Sequence, residues 1–67
     1  MATPLTSRET QVLALLAQGK STDAIADAFG IAERTARAHL QMIVAKLGVS
    51  DGAQAVAVAL REGMIKR

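Results

Sequence analysis

A set of polar and small side chains at helical spacing carries the most informative chemistry in this chain. Its members are Arg34, Arg37, Ala38 and Gln41. Arginine can bind a guanine edge through two parallel hydrogen bonds, glutamine can pair with adenine, and an alanine methyl can contact a thymine methyl. We therefore predict that these four side chains contact base edges in the major groove of double-stranded DNA.

The neighbouring apolar residues predict the helix that presents this set. Within the segment 31–47 they recur at the spacing of one helical face. The recurring residues are Ala36, Leu40, Ile43, Val44 and Leu47. A helix over about residues 32–47 would bury this face and expose the opposite one. Because many surface helices also carry arginine and glutamine, the interpretation depends on the elements around this helix.

A capping box predicts where the first helix begins. Thr6 can accept a hydrogen bond from the amide of Glu9, and the Glu9 carboxylate can accept one from the amide of Thr6. Gly19 is placed as the left-handed residue that ends the helix. These signals predict a helix over about residues 7–18.

A short second helix follows, and the turn after it defines the arrangement. Ser21 is the N-cap candidate of this helix and Gly30 ends it. Only three or four residues, including that glycine, separate it from the helix over residues 32–47. Two helices joined so closely form a helix-turn-helix, in which the second enters the major groove and the first crosses the DNA backbone.

A fourth helix is predicted over about residues 51–62, with Gly63 as its terminator. The residues expected on its inward face are Ala53, Val56, Ala59 and Leu60. Val58 is expected roughly opposite this face, between Gln54 and Arg61. The fourth helix thus has an outer surface that is free to meet another molecule.

Length and composition predict one all-α domain over residues 1–67. The 67 residues contain no Cys, one His and one Phe, and their formal net charge is +2. A chain of this size needs one core of small aliphatic residues. The residues expected in that core are Leu13, Leu16, Ile25, Phe29, Leu40, Ile43 and Val56. The mildly basic charge permits nucleic-acid binding without requiring it.

The same composition argues against several other classes of protein. One histidine and no cysteine predict no metal site, and no phosphate-cradling glycine-rich loop indicates a cofactor. Ser21, Asp23 and His39 give no argument for a catalytic triad, because a triad is recognised by geometry. There is no apolar run of membrane-spanning length and no recognisable signal peptide. We expect a cytoplasmic protein without enzymatic activity, cofactor or small-molecule ligand.

Many separate positions agree in register with a known family. They are Leu5-Thr6, Arg8-Glu9, Val12-Leu13, Leu15-Leu16, Ala17, Gly19, Ser21, Ile25-Ala26, Gly30-Ile31, Thr35, His39, Lys46-Leu47-Gly48-Val49 and Gln54-Ala55-Val56. The pattern resembles the LuxR-type helix-turn-helix domain, also called the GerE or NarL/FixJ type, over about residues 5–65. The resemblance implies a four-helix DNA-binding effector domain of a bacterial transcription regulator, located in the cytoplasm at the nucleoid.

The resemblance also implies roles for individual residues. The base-facing positions of the family fall on Arg37, Ala38 and Gln41, and Arg34 lies at the entrance of the same helix. The phosphate-side positions fall on Thr22, Thr35 and Lys46. Helix four often pairs domains in this family, and the residues that would form a weak homodimer surface are Gln54, Val58 and Arg61.

Departures from the family pattern support a second hypothesis. Ala32 replaces the usual serine cap of the recognition helix, at a cost of about 1 kcal/mol. Gly52 replaces a frequent arginine, while Asp23 and Asp27 would repel phosphate. The alternative is therefore a helical protein-interaction or dimerisation module with weak or no DNA binding.

Overall fold

The computed structural model describes residues 5–66, which form four α-helices and no strand within that range. The helices are α1 (Ser7–Ala17), α2 (Thr22–Phe29), α3 (Glu33–Leu47) and α4 (Gly52–Arg61). The predicted all-α, four-helix class is confirmed, and each helix lies within a residue or so of its predicted bounds.

Local hydrogen bonds explain where the helices begin. At α1 the Thr6 hydroxyl accepts from the Glu9 amide at 3.1 Å, and the Glu9 carboxylate accepts from the Thr6 amide at 2.9 Å. This is the predicted capping box. Ser21 caps α2 through its side chain. No side chain caps α3, because its N-cap residue is Ala32, as the sequence indicates.

The turn between α2 and α3 depends on Gly30. This residue has a φ of +65°, in the left-handed region that side chains with a Cβ rarely adopt. The next amide, that of Ile31, donates to the carbonyl of Ala26 at 3.0 Å and closes the end of α2. Only residues 30–32 connect the two helices. The short connection fixes the direction in which α3 leaves α2.

A core of aliphatic and small residues holds the helices together. Its buried apolar members are Val12, Leu13, Ile25, Ala26, Ala36, Ile43, Ala55, Ala59 and Ile65. Three of the predicted core residues, Leu13, Ile25 and Ile43, are at most 1% exposed. Three others, Leu16, Phe29 and Val56, are half-buried and pack against the core. Leu40 is also half-buried rather than central.

The predicted inward face of α4 was correct for Val56, Ala59 and Leu60 and wrong for Ala53. Ala53, expected inside, is exposed, whereas Ala55 is completely buried. The reason is the close approach at Gly52, where an added Cβ would lie 3.1 Å from Leu16 Cδ2 and 3.4 Å from Leu40 Cδ2. Because Gly52 has no side chain, α4 can pack this residue against the core. The helix then buries Ala55 and Ala59 as well.

Within residues 5–66 no single helix is long and apolar enough to cross a membrane. Only α3 and α4 taken together pass that test of length and composition, and their axes are bent by 55°. Both helices also contribute buried residues to the shared core.

Substitution of the two alanines by leucine distinguishes the observed rotation of α4 from the predicted one. Ala55→Leu should lower the free energy of unfolding by about 1–3 kcal/mol, since it overpacks a filled core. Ala53→Leu should change it by less than about 0.5 kcal/mol, as for other surface substitutions. Urea unfolding followed by circular dichroism gives both values. Equal losses for the two variants would show that α4 does not bury Ala55.

Candidate nucleic-acid interface

The predicted base-contacting side chains share one solvent-facing side of α3. The residues at positions 34, 37, 38 and 41 are all exposed. On the opposite side Ala36 and Ile43 are at most 1% exposed. With about 100° between successive residues, burial of these two residues turns the polar set outward. The structure therefore brings the four predicted residues together on an accessible helical face.

Met42 extends this exposed face. It follows Gln41 and lies one turn after Ala38, with a relative exposure of 54%. It is the one large hydrophobic residue in the described chain that is exposed to this degree. Met42 is not among the base-contacting residues that the sequence predicts. An exposed thioether beside an alanine methyl suits the thymine methyl groups that line a major groove.

Glu33 connects α3 to α2. Its Oε2 accepts a hydrogen bond from Arg37 Nε at 2.9 Å and another from the Thr22 hydroxyl at 3.1 Å. No contact of Glu33 is predicted from the sequence. The i, i+4 spacing of Glu and Arg was an available signal. The bond from Thr22 had no sequence signal.

Among the predicted phosphate contacts, Thr35 and Thr22 lie in different surroundings. Thr35 is exposed in the first turn of α3. Thr22 is half-buried, and its hydroxyl proton is directed to Glu33. A hydroxyl has a single proton to donate, so Thr22 would have to redirect it in order to bind a phosphate. Thr35 faces no such competition among the described contacts.

The third predicted phosphate contact, Lys46, forms an ion pair with Glu9. Its Nζ lies 2.7 Å from Glu9 Oε1, and the two side chains are 18% and 6% exposed. The pKa of the Glu9 carboxyl is lowered, chiefly by the hydrogen bond from Lys46 and secondly by the one from the Thr6 amide. Lys46 thus joins the end of α3 to the start of α1, a contact for which the sequence carries no local signal.

The predicted dimer residues on α4 are only partly available. Gln54 Oε1 accepts a hydrogen bond from the Ser50 amide at 2.8 Å and so supports the start of the helix. Val58, expected opposite the core, is half-buried. Arg61 is exposed, and its Nε lies 3.8 Å from Oε2 of the neighbouring Glu62. The exposed residues of α4 are Ala53, Gln54, Ala57 and Arg61.

Comparison with known proteins gives a consistent result. The family profile described as bacterial regulatory proteins, luxR family (GerE), matches residues 3–59. The spore germination protein GerE of Bacillus subtilis (strain 168) is 44% identical over 62 residues, covering 92% of this chain and 84% of that protein. The probable transcriptional regulatory protein NarL of Mycobacterium tuberculosis (strain ATCC 25618 / H37Rv) is 43% identical over 65 residues.

Solved structures share the same helical arrangement. The structure of the transcription factor GerE superposes with a TM-score of 0.88 at 39% identity, covering 92% of both chains. The response regulator ChrA of a heme-sensing two-component system gives a TM-score of 0.90 at 34% identity. This chain spans 32% of the length of ChrA and 30% of the length of NarL.

The ion pair between Glu9 and Lys46 predicts how stability depends on pH. Because folding lowers the pKa of Glu9 below its ordinary value of 4.5, the stabilisation is present above that pH and is lost as pH falls through the folded-state value. Lys46→Met leaves the carboxylate buried without its cation, which should cost about 1–3 kcal/mol at about pH 7. The variant should then lose less stability than the wild type on acidification.

The measurement is urea unfolding between about pH 7 and pH 3. Lys20→Met is a suitable control, because Lys20 is exposed and its loss removes the same charge. This control should follow the wild-type curve. If Lys46→Met and the wild type lose stability in parallel below about pH 4.5, Glu9 does not depend on Lys46 for its lowered pKa.

Proposed function

Since the chain belongs to the luxR family of bacterial regulatory proteins, we propose that it binds specific sequences of double-stranded DNA with α3 in the major groove. The observation that carries this proposal is the exposed outer side of α3, where arginine, glutamine, alanine and methionine side chains lie together. A helix of this kind, preceded by a short helix and a tight turn, has the geometry of a recognition helix. The family is one of regulatory proteins and not an enzyme class.

In this proposal Arg37 reads a guanine. Its guanidinium is exposed and can make the two parallel hydrogen bonds that the guanine edge accepts. Gln41, one turn further along, would pair with adenine, and Arg34 would act at the entrance of the groove. Ala38 and Met42 would contact thymine methyl groups. Together these side chains supply both hydrogen bonds and apolar contacts for direct readout.

Contacts to phosphates would hold the domain in register. We assign them to Thr35, in the first turn of α3, and to Lys46 near its far end. Thr22, predicted from the sequence as a third contact, is left out of this proposal because its hydroxyl donates to Glu33. An ammonium group has three N–H donors, so Lys46 can keep one on Glu9 while another meets a phosphate. Its charge is partly compensated by that carboxylate, which makes it a weaker phosphate contact than a free lysine.

A weak homodimer through α4 completes the proposal. The surface would include Gln54, Val58 and Arg61, and we add Ala57 because it is exposed beside them. A single small helix face buries too little area for tight association in isolation. Pairing would therefore occur on DNA, in the bacterial cytoplasm at the nucleoid.

The interaction-module hypothesis rests on one structural observation. Asp23 and Asp27 are both exposed and lie one turn apart on α2, the helix that would cross the DNA backbone. Their charge opposes phosphate binding at that helix. Salt dependence separates the two hypotheses, because a DNA-binding domain loses affinity steeply as salt rises, with a log–log slope of about −0.9 per phosphate contact. An interaction module would show self-association without salt-dependent duplex binding.

Two substitutions of Arg37 test its reading of a guanine. After selection of a preferred duplex from a random pool, Arg37→Ala should lower discrimination at one base pair by about 1–3 kcal/mol. Arg37→Lys keeps the charge but lacks the planar fork. It should therefore lose part of that discrimination, because a lysine ammonium can still donate to the guanine edge, while keeping the salt dependence of the wild type. Fluorescence anisotropy on the selected duplex and on a scrambled one gives both quantities.

Equal losses on both duplexes would contradict direct readout by Arg37. In that case the guanidinium would serve only as a positive charge near the phosphates. Retention of full discrimination by Arg37→Lys would show that the planar fork of the guanidinium is not required for reading the guanine.

Ala57→Glu tests the proposed dimer surface on α4. Ala57 is exposed, so the substitution should leave the fold intact while placing two like charges against each other in the dimer. Binding to a single half-site should be unchanged. Cooperativity on a duplex with two half-sites should fall by the coupling energy of about 1–3 kcal/mol. Unchanged cooperativity would place the dimer surface elsewhere or show that no dimer forms.

A further inference from the structure

We infer that Glu33 is a positioning residue that makes Arg37 selective, by fixing its guanidinium and by limiting its attraction to phosphates. The inference rests on the proposed function, since it assigns the residue that controls the proposed base contact. Glu33 itself would touch neither a base nor a phosphate. Its effect would pass through Arg37.

The first argument is the number of contacts that meet at one oxygen. Glu33 Oε2 accepts from Arg37 Nε at 2.9 Å and from the Thr22 hydroxyl at 3.1 Å. Arg37 belongs to α3, whereas Thr22 belongs to α2. A simple pair on one helix surface would need only the first bond. The second bond anchors the carboxylate to the neighbouring helix and restricts its rotation.

The second argument concerns which donors of Arg37 stay free. A guanidinium has five N–H groups in a fixed plane. Glu33 occupies the one on Nε, so the four on the two terminal nitrogens remain available, and the Arg37 side chain is 66% exposed. Two of those terminal groups form the fork that guanine accepts. The tether therefore leaves the reading end of Arg37 free while it reduces the rotamers that binding would have to freeze.

The third argument is electrostatic. An untethered arginine at a protein–DNA interface can bind any phosphate, which raises affinity for every sequence. Beside the Glu33 carboxylate, which is 35% exposed, much of that charge is compensated. A phosphate approaching the start of α3 also meets the negative carboxylate. Both effects weaken non-specific binding to phosphates more than they weaken the contact with guanine, because that contact depends on directed hydrogen bonds.

Stability alone gives a weaker account of this arrangement. Exposed i, i+4 ion pairs contribute little to folding. The α3 N-terminus does benefit from an acidic residue, because Ala32 provides no side-chain cap. A nearby charge would serve that purpose without any contact to Arg37 or Thr22. The positioning role explains why Glu33 bonds to both of these residues.

The experiment compares Glu33→Gln with Glu62→Gln. Both substitutions remove one negative charge, but Glu62 lies after α4 and pairs only loosely with Arg61. Binding is measured on the selected duplex, on the same duplex with the guanine read by Arg37 replaced, and on a scrambled duplex. Thermal melting of each variant is recorded alongside.

Glu33→Gln should bind the scrambled duplex about fivefold more tightly at about 0.15 M salt, the effect of one additional released counterion. Its preference for the guanine should fall by at least about threefold, a part of what a bidentate pair provides. Glu62→Gln should leave that preference unchanged. Thr22→Val, which removes the second anchor, should lower the preference in the same direction. In an Arg37→Ala background, Glu33→Gln should have no further effect on it.

The outcomes separate this inference from the proposed function. If the wild type selects no sequence and shows no salt-dependent duplex binding, the proposed function fails and the inference fails with it. If the wild type discriminates and Arg37→Ala does not, while Glu33→Gln and Thr22→Val both keep the full preference, only the positioning role is overturned. An equal loss of preference in Glu62→Gln would also overturn it, because the effect would then follow net charge.

Discussion

The rotation of α3 about its own axis is the constraint on which the rest of the molecule depends. Ala36 and Ile43 are completely enclosed by the other helices, and their burial supplies the main free energy that fixes this rotation. With helical geometry given, the residues half a turn away must face solvent. The polar side of α3 is therefore set by packing on its apolar side.

Small residues let three other helices reach α3 in so short a chain. The core uses alanines at 26, 36, 55 and 59, and Gly52 allows α4 to approach Leu16 and Leu40 closely. Because the helices approach closely, these small side chains still pack at high density and make many contacts. The same closeness leaves only a narrow exposed strip on α4 for a partner.

Two ion pairs, each between a carboxylate and a basic side chain, differ in their effect because they differ in burial. Glu9 and Lys46 are largely shielded from water, so the pair connects α1 to α3 and lowers the pKa of the acid. Glu33 and Arg37 are far more exposed, so their attraction is weakened by solvent and contributes little to folding. The first pair therefore stabilises the fold, and the second mainly affects the position of the exposed Arg37 guanidinium.

The sequence by itself determined the features that depend on neighbours a few residues apart. These are the four helices, the capping box at Thr6, the missing cap at Ala32, the tight turn at Gly30 and the outward face of α3. Only the tertiary structure decided that Ala55 rather than Ala53 is buried, that Lys46 pairs with a residue 37 positions away, and that Thr22 bonds to Glu33. Helix caps and apolar periodicity arise from hydrogen bonds and spacing within one helix. Contacts between helices depend on how closely their surfaces pack, which a periodic pattern does not contain.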